Sequence, residues 1–471
     1  MRATLLGHAC WLFETSAGRL ISDPLFFDPF EEGTVTSCPR REVQVARLPS
    51  LQGVVISHRH LDHYDFPSLA VLDRRLPVYC PDDPFLLYGL QRLGFHTIHR
   101  LQALVPVQCG DLQLLPTPSL NREVLEYGLL LRDPTGTLFN QVDTFLSAET
   151  VQHLRRSAGQ LDVHLAMYAS QHFHFFESQQ ENTAAMHGIN LHTATHLAAR
   201  CVVPAAAGFR FVDTLGWLNR HVFPITQQQF VRDLQRLNPA QQIESLYPGD
   251  TLSITSGQIT VQRQAADYVR LLADDTDLLT YDASAPIPPL HDANPAGYGL
   301  RGLQEFVRGL LEQGLPQYLA RGLATDDPLL SQYRRYDVVY AVEVVFPEAL
   351  PQTWTFLFDR QSRRVQQPRP AEAPAPTVRK SIAASALVDL YLGRRSYFAV
   401  RAQSRRSVQV FDVRQTARGV TAQAVELPDL LTHYILHESP GAEHRGSDWI
   451  HCVTRHLVEA GDTSLGSGPA V

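Results

Sequence analysis

Hydrophobic and polar positions along the first 265 residues change period every few residues. The runs "ATLLGHACWLFET", "RLISDP", "GVVISH", "PVYCP", "DLQLLPTP", "YGLLLRD", "TLFNQVD" and "VHLAMYAS" are short, β-branched or leucine-rich, and bounded by Gly, Pro or Asp, as strands are. A period near 3.6 replaces them at Ala148–Ser157, from about Gln179 to Arg200, and at Gln227–Leu237. Strands with interspersed helices predict a layered α/β domain over 1–265, closed by "QITVQRQ".

A second domain is expected over 266–471. Leu303–Leu323 reads as a helix, and "DVVYAVEVVF" and "WTFLFD" read as paired strands. The segment 366–377, "QQPRPAEAPAPT", is a long surface loop because its prolines lack donors and hold the chain extended. A helix around Ser381–Leu392 and the strands "YFAVRA" and "VQVFDV" come next, giving an α+β module. The doublets Arg394–Arg395 and Arg405–Arg406 read as a solvated charged face rather than an anion site.

A chain of 471 residues can bury two cores. Its formal charge of -7 excludes the basic footprint of a nucleic-acid binder, and no apolar run reaches membrane-spanning length. A soluble, cytoplasmic protein that uses neither nucleic acid nor membrane is the expectation. The six cysteines show no CxxC or CxH spacing, so neither a zinc knuckle nor an iron-sulfur centre is signalled.

Chemistry concentrates in "VVISHRHLDHYDFP". His58, His60, Asp62 and His63 follow a buried strand, which aims several side chains from one tight loop. Alternation lets His58 and His60 face one metal ion while Asp62 and His63 reach a second, and this donor mixture suits zinc or iron. Further along, "YASQHFHFFES" offers His172 and His174, on one face if extended, as ligands or pocket-lining groups. His8 and His221 read as hydrogen-bonded histidines near the core rather than ligands.

"HRHLDH" after "GVVIS", with "GHACWLFE" and "ISDP" upstream, resembles the metallo-β-lactamase superfamily over roughly the first 250 residues. The resemblance implies an αββα sandwich with a one- or two-metal site at one edge of the sheets. It places Asp143 of "LFNQVDT" at the family's bridging aspartate, the competing reading being a cap on the helix near Ser147. The later histidines of hydrolytic members are absent from "LLPTPSLNREVLEYGLLL" and "CVVPAAAGFRF". A carboxylate then replaces the first of them, Glu126 before Glu123 in order of preference. A more anionic site shifts preference toward iron or manganese.

The pattern is similar to the non-hydrolytic oxygenase branch, including CMP-N-acetylneuraminate hydroxylase-type and diiron β-hydroxylase-type proteins, here without the motifs of a Rieske domain. This second resemblance implies a site with two iron ions and O2 as co-substrate. It would hydroxylate a small amine, amino-acid, sugar-derived or carrier-linked metabolite, with an external electron donor and oligomerisation both open. The alternatives are a zinc or manganese hydrolase of an ester, lactone or phosphodiester, and a binding protein that has lost ligands. The C-terminal module weakly resembles sterol-carrier folds.

Overall fold

The computed structural model describes residues 1–121, 124–172, 183–362, 364–416, 419–425 and 427–439. They form two compact units, one of residues 1–172 with 183–286, the other running on from Ile287.

The first unit is built on two sheets. In the first sheet the strands stand in the order Gln258–Gln262, Thr251–Thr255, Arg2–Gly7, Cys10–Glu14, Arg19–Ser22, Gly53–Val55, Val78–Pro81, Ile98–Leu101. From Arg19–Ser22 onward the pairings are parallel. The second sheet runs Gln242–Ile243, Cys201–Ala205, Val163–Met167, Gly136–Asn140, Tyr127–Asp133, Leu112–Pro118, Val107–Cys109. Period-2 alternation sends Trp11, Phe13 and Leu20 of one sheet, and Leu129, Leu131 and Leu165 of the other, into one shared core.

The outer face of the second sheet is covered as well. Leu130 and Phe139 pack with Val151 and Leu154 of the helix Ala148–Ala158, and Ala166 and Val202 pack with Phe230 and Leu234 of Gln227–Leu237. On the first sheet, Leu12, Ile21, Val54 and Val78 are buried on the opposite face from Trp11 and Phe13. The helices Phe66–Ala70 and Pro84–Arg92 bury Phe66, Leu69, Leu86 and Leu90. Each begins on an aspartate, Asp65 or Asp83, that accepts from backbone N–H groups of the first turn, with proline following in that turn. The layer order is αββα.

Three local expectations differ from the structure. "QITVQRQ" is not the last strand of the unit, because Val269–Ala273 pairs antiparallel with Arg40–Val43 and carries the unit on to Pro286. "YFAVRA" forms the helix Tyr397–Arg401, started by Ser396, whose side chain accepts from Ala399 N. Ser381 belongs to the strand Val378–Ala383, and the helix follows as Ala384–Tyr391.

In the second unit the helices Leu300–Gly309 and Leu315–Ala324 are continuous through one π turn, Leu310–Gly314. They pack into the core of a four-stranded sheet ordered Gln352–Leu357, Val339–Val345, Val378–Ala383, Ser404–Val408. Arg406 leaves the charged face expected of it: it is buried and donates to the carbonyls of Leu427 and Pro428. Among the described residues, no helix is long and apolar enough to cross a membrane.

Candidate metal centre

The ends of several strands meet at one edge of the sandwich. His58, His60, Asp62 and His63 follow Gly53–Val55, Asp23 follows Arg19–Ser22, Asp143 follows Gly136–Asn140, and Glu126 immediately precedes Tyr127–Asp133. His8 stands in the bend between Arg2–Gly7 and Cys10–Glu14, at a φ of 50°. A backbone bond from Tyr127 N to Ser57 O, 3.2 Å, ties the two sheets at this edge.

Two groups of donors have ligand atoms within 4.8 Å of one another: His58, His60 and Asp143, and His8, Asp62 and His63. His58 Nε2 and His60 Nδ1 are 2.9 Å apart, and His8 Nε2 is 3.1 Å from Asp62 Oδ2. Asp143 faces both groups, with Oδ2 3.9 Å from His58 Nε2 and 3.3 Å from His63 Nε2. It caps no helix, because the start of Ala148–Ala158 is capped by Ser147.

A buried second layer orients the imidazoles. Asp23 accepts from Ser57 N and Ser57 Oγ, each at 2.7 Å, and its Oδ2 lies 2.9 Å from His63 Nδ1. Since the Ser57 hydroxyl proton goes to Asp23, Ser57 Oγ accepts from His58 Nδ1 at 2.9 Å. Both rings therefore turn Nε2 inward. The His63 Nε2 atom is buried and makes no hydrogen bond, although it sits 3.5 Å from Asp62 and 3.3 Å from Asp143. A buried imidazole nitrogen held among carboxylates at these distances fits a metal ion's place.

Electrostatics match this geometry. Burial, then the neighbouring His63 and His60, push His58 well below the usual imidazole range, so its ring is neutral. Burial opposes charge on His63, but Asp62 and Asp143 outweigh it and hold its pKa high. Burial would raise Asp62, yet His63 and His8 hold it well below the carboxylate range.

The remaining expected residues fall elsewhere. Glu126 belongs to neither donor group: Ser119 Oγ donates to its Oε1 at 2.5 Å and Asn121 Nδ2 to its Oε2 at 3.1 Å. Burial raises its pKa to about 7, with Asp143 adding to the rise. His172 is also outside both groups; its backbone N–H donates to Val222 O, and burial, with His221 nearby, holds its ring below the usual imidazole range. His174 and Glu123 lie outside the described residues.

His8 is buried and hydrogen-bonded, as the sequence reading has it, and its partner is Asp62 of the motif, which brings it into a donor group. Asp23 is a further member that the motif does not contain. The signal for both was present in "GHAC" and "ISDP", polar residues at the ends of strands that belong to the same sheet as the motif's strand.

Two His/Asp triads at one edge of an α/β sandwich, with Asp143 facing both, offer donor types that suit zinc or iron. Residues 23–123, which include the motif, match the family model described as the beta-lactamase superfamily domain. The chain is 28% identical over 180 residues to a Mycolicibacterium smegmatis protein named as a Rieske 2Fe-2S iron-sulfur protein, covering 36% of this chain and 34% of that protein. A Mycobacterium tuberculosis protein of the same name is 28% identical over 184 residues, with the same coverages. The chain thus spans about a third of the length of these curated relatives.

Solved structures with a similar arrangement include the isothiocyanate hydrolase from Delia radicum gut bacteria, at TM-score 0.40 and 14% identity over 54% of this chain and 100% of that one. CmlA, a diiron beta-hydroxylase from Streptomyces venezuelae, gives 0.38 and 15% over 56% and 54%. Igni18, a metallo hydrolase from Ignicoccus hospitalis, gives 0.37 and 15% over 56% and 98%.

Proposed function

We propose that this chain is a dinuclear iron oxygenase that hydroxylates a small amine, amino-acid or sugar-derived metabolite. The observation that carries the reading is the placement of Asp143, whose one carboxylate oxygen faces His58 of one triad and His63 of the other. In this reading His58 and His60 hold one ion, His8, Asp62 and His63 the other, and Asp143 is shared. Glu126, near enough to feel the Asp143 charge, adds a third carboxylate to the surroundings. The shared carboxylate supports two ions held together, and carboxylates among the donors suit a hard ion better than an all-imidazole set does. Partial identity with proteins named for an iron-sulfur centre supports electron-transfer chemistry and an external donor.

A bound pair of irons would supply two electrons and activate O2. The protein's own part is to fix the donors and keep water out. Asp23 and Ser57 lock the imidazole tautomers, and the burial of His58, His63 and Asp23 leaves those donors no competing solvent.

One observation favours a second reading. His8 supplies a fourth imidazole, and a nitrogen-rich set suits zinc and the hydrolysis of an ester, lactone or phosphodiester. Metal analysis of the purified protein, followed by anaerobic reduction and exposure to O2, separates the two. Bound iron with an O2-dependent absorption change supports oxidation. Tightly held zinc that iron does not replace, with no O2 consumption, sinks it in favour of hydrolysis.

A further inference from the structure

The helix Leu430–Glu438 of the second unit carries His433 and His437 one turn apart, so both rings leave the same face. The rings lie nearly parallel, with centroids 4.1 Å apart and planes 20° from one another. His437 is exposed and His433 half-buried, while Leu431, Tyr434 and Ile435 of the same helix enter the core. Two imidazoles therefore face solvent from a firmly packed element.

Each ring is held by its Nδ1 edge. His437 Nδ1 lies 2.7 Å from the His433 carbonyl oxygen, which can only accept, so the proton sits on Nδ1 and Nε2 carries the lone pair. His433 Nδ1 lies 2.6 Å from Tyr318 Oη on the helix Leu315–Ala324. Arg321 and Glu438, 2.5 Å apart, tie the same two helices again, in a pair that neutralises Arg321. Among the described residues, neither Nε2 has a hydrogen-bond partner, and His433 Nε2 is not buried. Asp327 adds a negative charge that His433 feels, and the negative end of the helix favours a cation beside His437 in its last turn.

We infer that His433 and His437 chelate a divalent late transition-metal ion, zinc, nickel or copper(II), through their Nε2 atoms, with Tyr318 positioning the His433 ring. Imidazole suits these ions, and histidines four residues apart on one helix face are a chelating pair. With the ion at Nε2, His433 donates its Nδ1–H to Tyr318 Oη, the kind of second-layer partner that ligating imidazoles use. Among the described residues, no third His, Cys, Asp or Glu joins the pair within 4.8 Å, so water completes the coordination and the ion exchanges. The pair shares no residue with the donors of the first unit. Occupancy staples the last turn of a helix that packs into the core, and so stabilises the second unit by linkage.

Equilibrium dialysis of the full-length, metal-loaded protein against Ni(II), with every bound metal counted by emission spectroscopy, tests this. His437→Ala should take up about one Ni(II) per chain fewer than the wild type, with the metal already in the first unit unchanged. Tyr318→Phe, which removes only the hydroxyl, should raise the Ni(II) concentration needed for that ion about tenfold. His196→Ala is the control. His192 and His196 have the same spacing and stack at 3.7 Å, but among the described residues His192 Nδ1 has no partner to hold its ring. Circular dichroism verifies that the variants are folded, and His437, being exposed, tolerates alanine.

Unchanged Ni(II) uptake in folded His437→Ala overturns the proposal. So does a loss that follows His196→Ala instead of His437→Ala. Uptake by Tyr318→Phe at wild-type concentrations shows that His433 is not held in the stated orientation, and it overturns the proposal as well.

Discussion

Individual residues decide whether the edge of the sandwich holds metal. Asp23 touches no donor atom facing the interior, but it fixes Ser57 and His63 through three bonds of 2.7–2.9 Å. Asp23→Asn is therefore expected to lower metal affinity about 10- to 100-fold while the fold persists, as measured by competition with a chromogenic chelator. His8→Ala should reduce bound metal toward about half, because it removes a donor of one triad only, whereas His60→Ala strikes the other. His164→Ala is the control: that ring is fully buried, bonded to Gln141 and outside both triads, so metal content measured by emission spectroscopy should not change. Legibility at this scale was uneven. The local motif showed its four donors because they share one loop, and the resemblance reached Asp143, but His8 and Asp23 come from other strand ends, and sequence spacing carries no information about which ends converge.

At the scale of elements, caps were readable and packing was not. Asp83 followed by Pro84 announces the helix Pro84–Arg92, and Gly94 follows its end at a φ of 89°, yet hydrophobic period alone assigns no helix there. Inside that helix, propensity alone says Gly89→Ala stabilises by about 1 kcal/mol. The tertiary structure reverses the sign. A Cβ at Gly89 runs into Tyr64 Oη, which donates to Leu86 O at 2.9 Å, and lies 3.0 Å from the Phe66 ring. Overpacking of this kind costs about 1–3 kcal/mol, so Gly89→Ala should lower the thermal midpoint, read by circular dichroism. Because Tyr64 adjoins His63, weaker metal binding is expected alongside. "YFAVRA" illustrates the opposite failure: its β-like composition yields a helix because Ser396 caps it and Ala399 and Val400 are buried.

For the molecule as a whole, pH dependence has an identifiable source in the second unit. Asp429 begins the helix Leu430–Glu438 and is paired with Lys380 Nζ at 2.7 Å, with both side chains at most 10% exposed. Burial would raise the Asp429 pKa, but the charges of Lys380 and Arg406 outweigh it and hold it well below the usual carboxylate range. A depressed acid contributes stability that is present above its unfolded pKa and lost as pH falls through the folded value. Stability should thus decline from about pH 4 downward, measured by urea unfolding across an acid series. Lys380→Met leaves that carboxylate buried without its nearest cation and should cost about 3–5 kcal/mol at neutral pH. Above pH 4 the loss should be largest, and it should shrink on acidification as Asp429 takes up a proton.

The sequence by itself determined the alternation that makes strands, the turn chemistry that ends them, and a cluster of four metal donors in one loop. Those are local properties, set by periods of 2 and 3.6 residues and by neighbouring side chains. Only the tertiary structure decided that His8 joins Asp62 and His63, that Asp143 faces both triads, that Asp23 stands behind them, and that His172 lies outside both donor groups. Such choices depend on which strand ends the two sheets bring to one edge. That is fixed by the burial of both sheet faces, a property of the whole core rather than of any segment.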